Sequence, residues 1–203
     1  MKKYVNMFWL AVCAGLAIAV GGTVYLTLEN KIIGSLLFTV GLYAIVLNGL
    51  YLYTGKIGYL AVEKEKKPYF ILLLATWLGN FVGTGLGALA VRSSRINGIK
   101  DAAAKVSEVK LSDTVGSIFL LAIFGGLLMY IAVDGYKEKG NPLILFLCVS
   151  VFILCGFEHC IANMYYFSLA GVWSVKAFGY LFVMTLGNSI GGMLIPYVKK
   201  VTA

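Results

Sequence analysis

Six apolar runs, at about residues 5–26, 32–62, 69–91, 115–133, 142–172 and 177–198, take up most of this 203-residue chain. A helix needs about 20 predominantly apolar residues to cross a bilayer core of about 30 Å, so each run is long enough to span. With 60% hydrophobic and 13% charged residues there is too little polar surface for a soluble globule, and the mean hydropathy of +0.88 agrees. The chain therefore reads as an all-α, multi-pass integral membrane protein with one transmembrane domain over residues 1–203. The first run follows Lys2-Lys3, but it is longer than the core of a signal peptide. It ends in Thr27-Leu28-Glu29-Asn30 instead of a small-residue cleavage site, and is read as a retained span.

Two runs are longer than a span requires, and both are interrupted. Asn48-Gly49, Thr54-Gly55 and Lys56 break the second. The fifth holds Gly156-Phe157-Glu158-His159-Cys160-Ile161-Ala162-Asn163-Met164, which contains the one histidine of the chain. Ionisable groups at membrane depth cost several kcal/mol and face a cavity or a partner. Non-helical backbone there needs cover from protein or a water-filled path. The second and fifth spans are thus predicted to be broken helices around a pore or binding site. Gly49 is followed after 30 residues by Gly79, within Leu78-Gly79-Asn80; Gly156 is followed after 31 by Gly187, within Leu186-Gly187-Asn188. Gly83 and Gly191 then stand at the same offset. Two groups of three spans related this way must be inverted repeats, an arrangement used for transport.

Charge gives a weak orientation. If both termini are cytoplasmic, the inner segments hold Lys2, Lys3, Lys64, Lys66, Lys67, Lys137, Lys139, Lys199 and Lys200, against Lys31, Arg92, Arg95, Lys100, Lys105, Lys110 and Lys176 outside. The net charge of +8 is scattered over short connections, so it forms no nucleic-acid footprint and suits headgroups or small anions. Cys13, Cys148, Cys155 and Cys160 lie in apolar runs without a C-x-x-C pair and indicate neither disulfides nor zinc. With one histidine and Glu158 as the clear mid-span carboxylate, no catalytic set, haem ligation or other cofactor is expected. No phosphate-binding G-x-x-x-x-G-K-[ST] loop occurs.

The nine residues from Gly156 to Met164 closely resemble the signature of the formate/nitrite transporter family. Leu52-Tyr53-Thr54-Gly55 is similar to that family's Leu-Phe-Thr-Gly loop, and Leu78-Gly79-Asn80 also matches. The resemblance implies an aquaporin-like protomer in a homopentamer of the prokaryotic inner membrane. Its expected cargo is the small anions of weak acids, namely formate, nitrite or hydrosulfide, together with protons. It implies that His159 and Thr54 face each other mid-path and that Lys110 attracts the anion at the outer vestibule. Asn163 is placed on the same path. Leu42, Leu52 and Tyr53 are expected at the inner constriction, and Phe38, Met129 and Phe152 at the outer one. The chain departs from the family pattern at Tyr53, at Lys56, where asparagine is common, and at Gly126, where span four often has asparagine.

The residues have simpler readings too. His159 could only bridge helices, Thr54 could only cap a freed carbonyl, and Lys110 could be a solvated lysine. Asn80 and Asn188 are expected to bond between helices. Glu158, taken as the helical neighbour of His159, should point about 100° away from it. An aquaporin-like channel for neutral solutes is the alternative function, but its Asn-Pro-Ala repeats are missing. Against a small anion the chemistry is plain: an apolar constriction expels the charge and passes the neutral acid more readily. A histidine, with an unperturbed pKa near 6.5, can take part in that proton transfer.

Overall fold

Four glycines with positive φ (Gly49, Gly140, Gly156 and Gly171) follow helix ends, and two of them, Gly49 (φ 60°) and Gly156 (φ 69°), interrupt the middle of apolar runs. After each, the chain closes back in the same way. The Leu50 N–H reaches Ile45 O and the Phe157 N–H reaches Phe152 O, both at 2.9 Å. This six-to-one closure uses a left-handed residue that glycine adopts without a Cβ penalty.

The computed structural model describes residues 2–202 and is helical, with no strand among them. Its elements are α1 (Lys2–Thr27), α2 (Lys31–Leu47), α3 (Tyr53–Lys56) running into a 3₁₀ turn (Ile57–Ala61), α4 (Lys66–Arg92), α5 (Ile99–Ser112), α6 (Val115–Lys139), α7 (Leu143–Leu154), α8 (Cys160–Ala170) and α9 (Val175–Thr202). Within α1, Val5–Thr27 is long and apolar enough to cross a bilayer unbroken, as are α4, α6 and α9, whereas α2 and α7 are shorter apolar helices. The two long runs are thus split between α2 and α3 and between α7 and α8.

Helix α1 packs on α4, α6 packs on α9, and α2 meets α7 between them. Small residues allow the close approach. A Cβ at Gly79 would lie 2.6 Å from the Ala11 methyl and 2.7 Å from Phe8 O; a Cβ at Gly187 would lie 2.6 Å from the Ala122 methyl and 2.7 Å from Phe119 O. Such contacts replace the hydrophobic drive that lipid cannot supply between helices. Gly187→Leu should therefore push α6 and α9 apart at a cost of about 1–3 kcal/mol. The check is a lowered thermal midpoint in detergent, beside an unchanged midpoint for a substitution at outward-facing Leu186.

The polarity of the bundle is inverted. Leu78, Leu86 and Leu89 on α4 and Phe182, Leu186 and Ile190 on α9 are exposed, while Thr76, Asn80, Thr84 and Asn188 are fully buried. An apolar exterior of this extent is the surface of a protein that meets lipid or other copies.

The charged segment between the third and fourth apolar runs contains α5. Ile99, Ala103 and Ser107, one helical turn apart, are its buried face, and it lies on α8 and α1. Lys110 therefore stands in the last turn of a packed helix. The fourth apolar run ends at about residue 133, yet α6 continues to Lys139 and stops at left-handed Gly140. Asp134, Gly135, Lys137 and Lys139 are all accommodated in the helix, so polarity alone does not end it.

Candidate functional site

The two breaks leave residues 48–52 and 155–159 non-helical inside the bundle, with backbone groups that no helix satisfies. Each break is braced by one asparagine. Asn80 Oδ1 accepts from the Tyr53 N–H at 2.9 Å, and its Nδ2 donates to Ala11 O and Tyr51 O, both at 2.8 Å. Asn188 Oδ1 accepts from the Cys160 N–H at 2.8 Å, and its Nδ2 donates to Ala122 O at 2.7 Å and Glu158 O at 2.8 Å. Each amide thus joins the start of a re-entering helix, its preceding break and a neighbouring long helix. Asn188→Ala strips partners from one buried donor and two carbonyls, each worth about 1–3 kcal/mol when left unsatisfied. The expected result is a protein that unfolds several degrees lower in detergent, with Asn80→Ala behaving alike.

His159 is the residue before α8, in extended backbone (φ −126°, ψ 111°). Its Nδ1 accepts from the Ala162 N–H at 3.0 Å, capping the helix. An accepting Nδ1 carries no proton, so Nε2 carries it, the ring is neutral, and Nε2–H donates to Thr54 Oγ1 at 2.7 Å. Thr54 comes from α3, so this bond ties one break to the other. Both side chains are buried. Aromatic rings continue the line: Phe152 lies 5.7 Å from the His159 ring and meets Phe38 edge-on at 6.1 Å.

Glu158 differs from its sequence reading. It precedes α8 instead of lying on it, so the 100° separation on a helix does not apply, and its position is set by the break. Its buried carboxylate receives Lys110 Nζ at 2.8 Å on both oxygens, and Asn163 Nδ2 at 2.6 Å on Oε2. Asn163 Nδ2 also donates to His159 O at 3.0 Å, one turn back in the chain. A buried carboxylate needs such partners. Lys110 is thus not a solvated lysine; its charge is matched. Nothing local in the sequence joins residues 48 positions apart, and only the packing of α5 on α8 brings them together.

Two cavities flank this centre. One, of about 260 Å³, is lined by residues that include Lys110, Phe152, Glu158, His159 and Asn163. The other, of about 70 Å³, is lined by residues that include Leu52, Gly55, Lys56, Val133 and Lys137. Thr54, Leu42, Phe38 and Met129 line neither cavity and are buried between the elements that do. Tyr53 is turned toward α9, where its hydroxyl lies 2.9 Å from Ser189 Oγ. Among the described residues no three His, Cys, Asp or Glu side chains gather as a metal site.

Fold and site together define an integral, multi-pass helical membrane protein whose two broken helices meet between two cavities. The family model described as formate/nitrite transporter matches residues 1–200, and the chain belongs to that family. Among its relatives, the formate channel FocA of Escherichia coli (strain K12) is 25% identical over 241 aligned positions, covering 96% of this chain and 85% of the relative. The nitrite transporter NirC of Salmonella typhimurium is 26% identical over 213 positions, covering 92% and 79%. In fold, the chain is similar to a solved pentameric formate channel with formate bound, at a TM-score of 0.85 and 24% identity, covering 99% of this chain and 97% of that one.

Proposed function

We propose that this chain is a membrane channel for small monovalent anions of weak acids, formate or nitrite first and hydrosulfide next, with passage linked to protons. One observation carries the reading. Two cavities are separated by a buried apolar barrier whose centre is the hydrogen-bonded pair Thr54 and His159. A bare anion is expelled by such a barrier, so crossing requires that its charge be neutralised. The relatives named above for formate and nitrite support the choice of cargo. They also favour the anion channel over a neutral-solute channel or an enzyme.

In this reading Lys110 draws the anion into the larger cavity; Glu158 holds the lysine in place, and Asn163 holds Glu158. Phe38, Met129 and Phe152 form the constriction on that side; Leu42, Leu52 and Tyr53 form the one on the other. His159 and Thr54 stand between, where the neutral ring holds its Nε2 proton toward Thr54. The architecture we infer is six spans in two inverted groups of three, α1 to α4 and α6 to α9. Equivalent asparagine braces and equivalent glycine contacts support it. We place the whole chain in one such domain, assembled as a homopentamer in a prokaryotic inner membrane with both termini cytoplasmic. The pentameric solved relative and the exposed apolar faces of α4 and α9 support the assembly.

The test ranks substrates. Purified protein in liposomes should take up formate, nitrite or hydrosulfide in a saturable manner, with rates that rise as pH falls from about 8 to about 5 and protons become available to neutralise the anion. Equal, pH-independent rates for all three and for empty liposomes would contradict it.

A further inference from the structure

The smaller cavity carries two cations that the reading above does not use. Lys56 leaves α3 two residues after Thr54, and Lys137 comes from the last turn of α6. Both line the cavity, which is otherwise built from apolar side chains and backbone, including Leu52 and Gly55 beside the barrier. Each amine is held by an aromatic ring: Lys56 Nζ lies 3.8 Å from the centre of the Tyr51 ring, and Lys137 Nζ 4.5 Å from that of Tyr59. Such contacts orient an ammonium group without cancelling its charge.

The contrast with the opposite mouth lies in the counter-charge. Lys110 is matched by a buried carboxylate at 2.8 Å, and this is the one ion pair among the described residues. Asp134, the acid nearest this mouth's hydrogen-bond network, accepts instead from the hydroxyls of Tyr59 (2.9 Å) and Tyr130 (2.8 Å). Lys137 meets that network through Tyr59 Oη at 3.2 Å. Among the described residues, no carboxylate lies within ion-pair distance of Lys56, although it is only partly exposed. A half-buried cation facing a small cavity draws anions more strongly than one in open water, because the surrounding dielectric is lower.

We propose that Lys56 and Lys137 form a second anion-loading site, for small monovalent oxyanions such as formate and nitrite, at the mouth opposite Lys110. The inference rests on the channel reading and adds a direction to it. Lys56 and Lys137 together face one nearby carboxylate, that of Asp134, whereas Lys110 is paired directly with Glu158, so the Lys56 mouth keeps the larger net positive charge and anions load at lower concentration from that side. Lys56 is the principal ligand, and Lys137 adds charge from the rim.

The test is sided transport in proteoliposomes of determined orientation, with formate and then nitrite as the probe. In the unsubstituted protein the half-saturating concentration should be lower on the Lys56 face than on the Lys110 face. Lys56→Asn should raise the value on its own face by about three- to tenfold, and Lys137→Gln by less. The value on the Lys110 face should stay put, and Lys56→Arg should restore most of the difference. Thermal midpoints within a degree or two of the parent would show that the variants fold. Equal half-saturation on both faces, or a Lys56→Asn protein that keeps the parent's value on its own face, would overturn the site while leaving the channel intact. No anion flux in the unsubstituted protein would overturn the channel reading, and the site with it.

Discussion

Lys110→Met should destabilise the protein by about 3–5 kcal/mol, because it leaves the Glu158 carboxylate buried and unmatched. In this structure that carboxylate is 3% exposed, and its two oxygens take three hydrogen bonds, two of them from Lys110. Loss of the amine leaves Asn163 Nδ2 as the side-chain donor that still reaches it. The carboxylate must then take up a proton or draw in water, and either loosens the break that precedes α8. Glu158→Leu alone should be less costly, since Lys110 keeps 14% exposure and can reach solvent. The double substitution should recover most of the loss, because a buried pair replaced by apolar groups of similar volume is close to neutral. Thermal unfolding of the four proteins in detergent forms the cycle. Additive losses would mean that the pair is not coupled and that α5 is held by its apolar face alone.

The second large effect belongs to His159. His159→Phe should remove the pH dependence of anion uptake while leaving the fold assembled. The substitution keeps an aromatic ring beside Phe152 but removes two bonds, the cap on the Ala162 N–H and the donor to Thr54. Loss of the cap costs about 0.5–2 kcal/mol, so the midpoint should fall without collapse. Loss of the donor leaves the Thr54 hydroxyl alone at the centre of an apolar barrier. Uptake should then fall at every pH and lose its slope between about pH 5 and 8, because the proposed proton partner at the centre of the barrier is gone. Since Nδ1 already accepts a bond, a proton added to the ring must break the α8 cap. Under the proposed mechanism, proton transfer through the ring would therefore be coupled to opening of the first turn of α8. Thr54→Val separates the roles: it removes the partner of Nε2 and keeps the cap, so it should slow uptake with little change in the midpoint. A His159→Phe protein with the parent's uptake and pH slope would exclude the ring from the path.

The broken helices were legible because glycine and buried polarity are both local signals. Gly49 and Gly156 could be read as breaks since each lies in an apolar run longer than a span needs, beside an asparagine or a glutamate that an unbroken lipid-facing helix would leave without a partner. The asparagines of the two Leu-Gly-Asn triplets were legible as helix-to-helix bonders, though not as braces of the breaks. That role depends on which helix lies opposite, which spacing does not encode. Helix α5 was missed because its lysines and aspartate hide a stripe of Ile99, Ala103 and Ser107, two of which are small. The Lys110–Glu158 pair was missed for a related reason. It depends on α5 folding back on α8, and a lysine far along the chain carries no mark of its partner. Lys56 was visible as a departure, but its company with Lys137 appears only when α3 and α6 are seen to share a cavity.

The most direct measurement of the central claim is stopped-flow light scattering of proteoliposomes exposed to a gradient of formate and, separately, of glycerol. The account predicts rapid formate-driven swelling that quickens as pH falls, and glycerol rates equal to those of empty liposomes. Fast glycerol entry with no formate entry would contradict it, and would mean that the Thr54–His159 barrier passes neutral solutes and not the acid–anion pair.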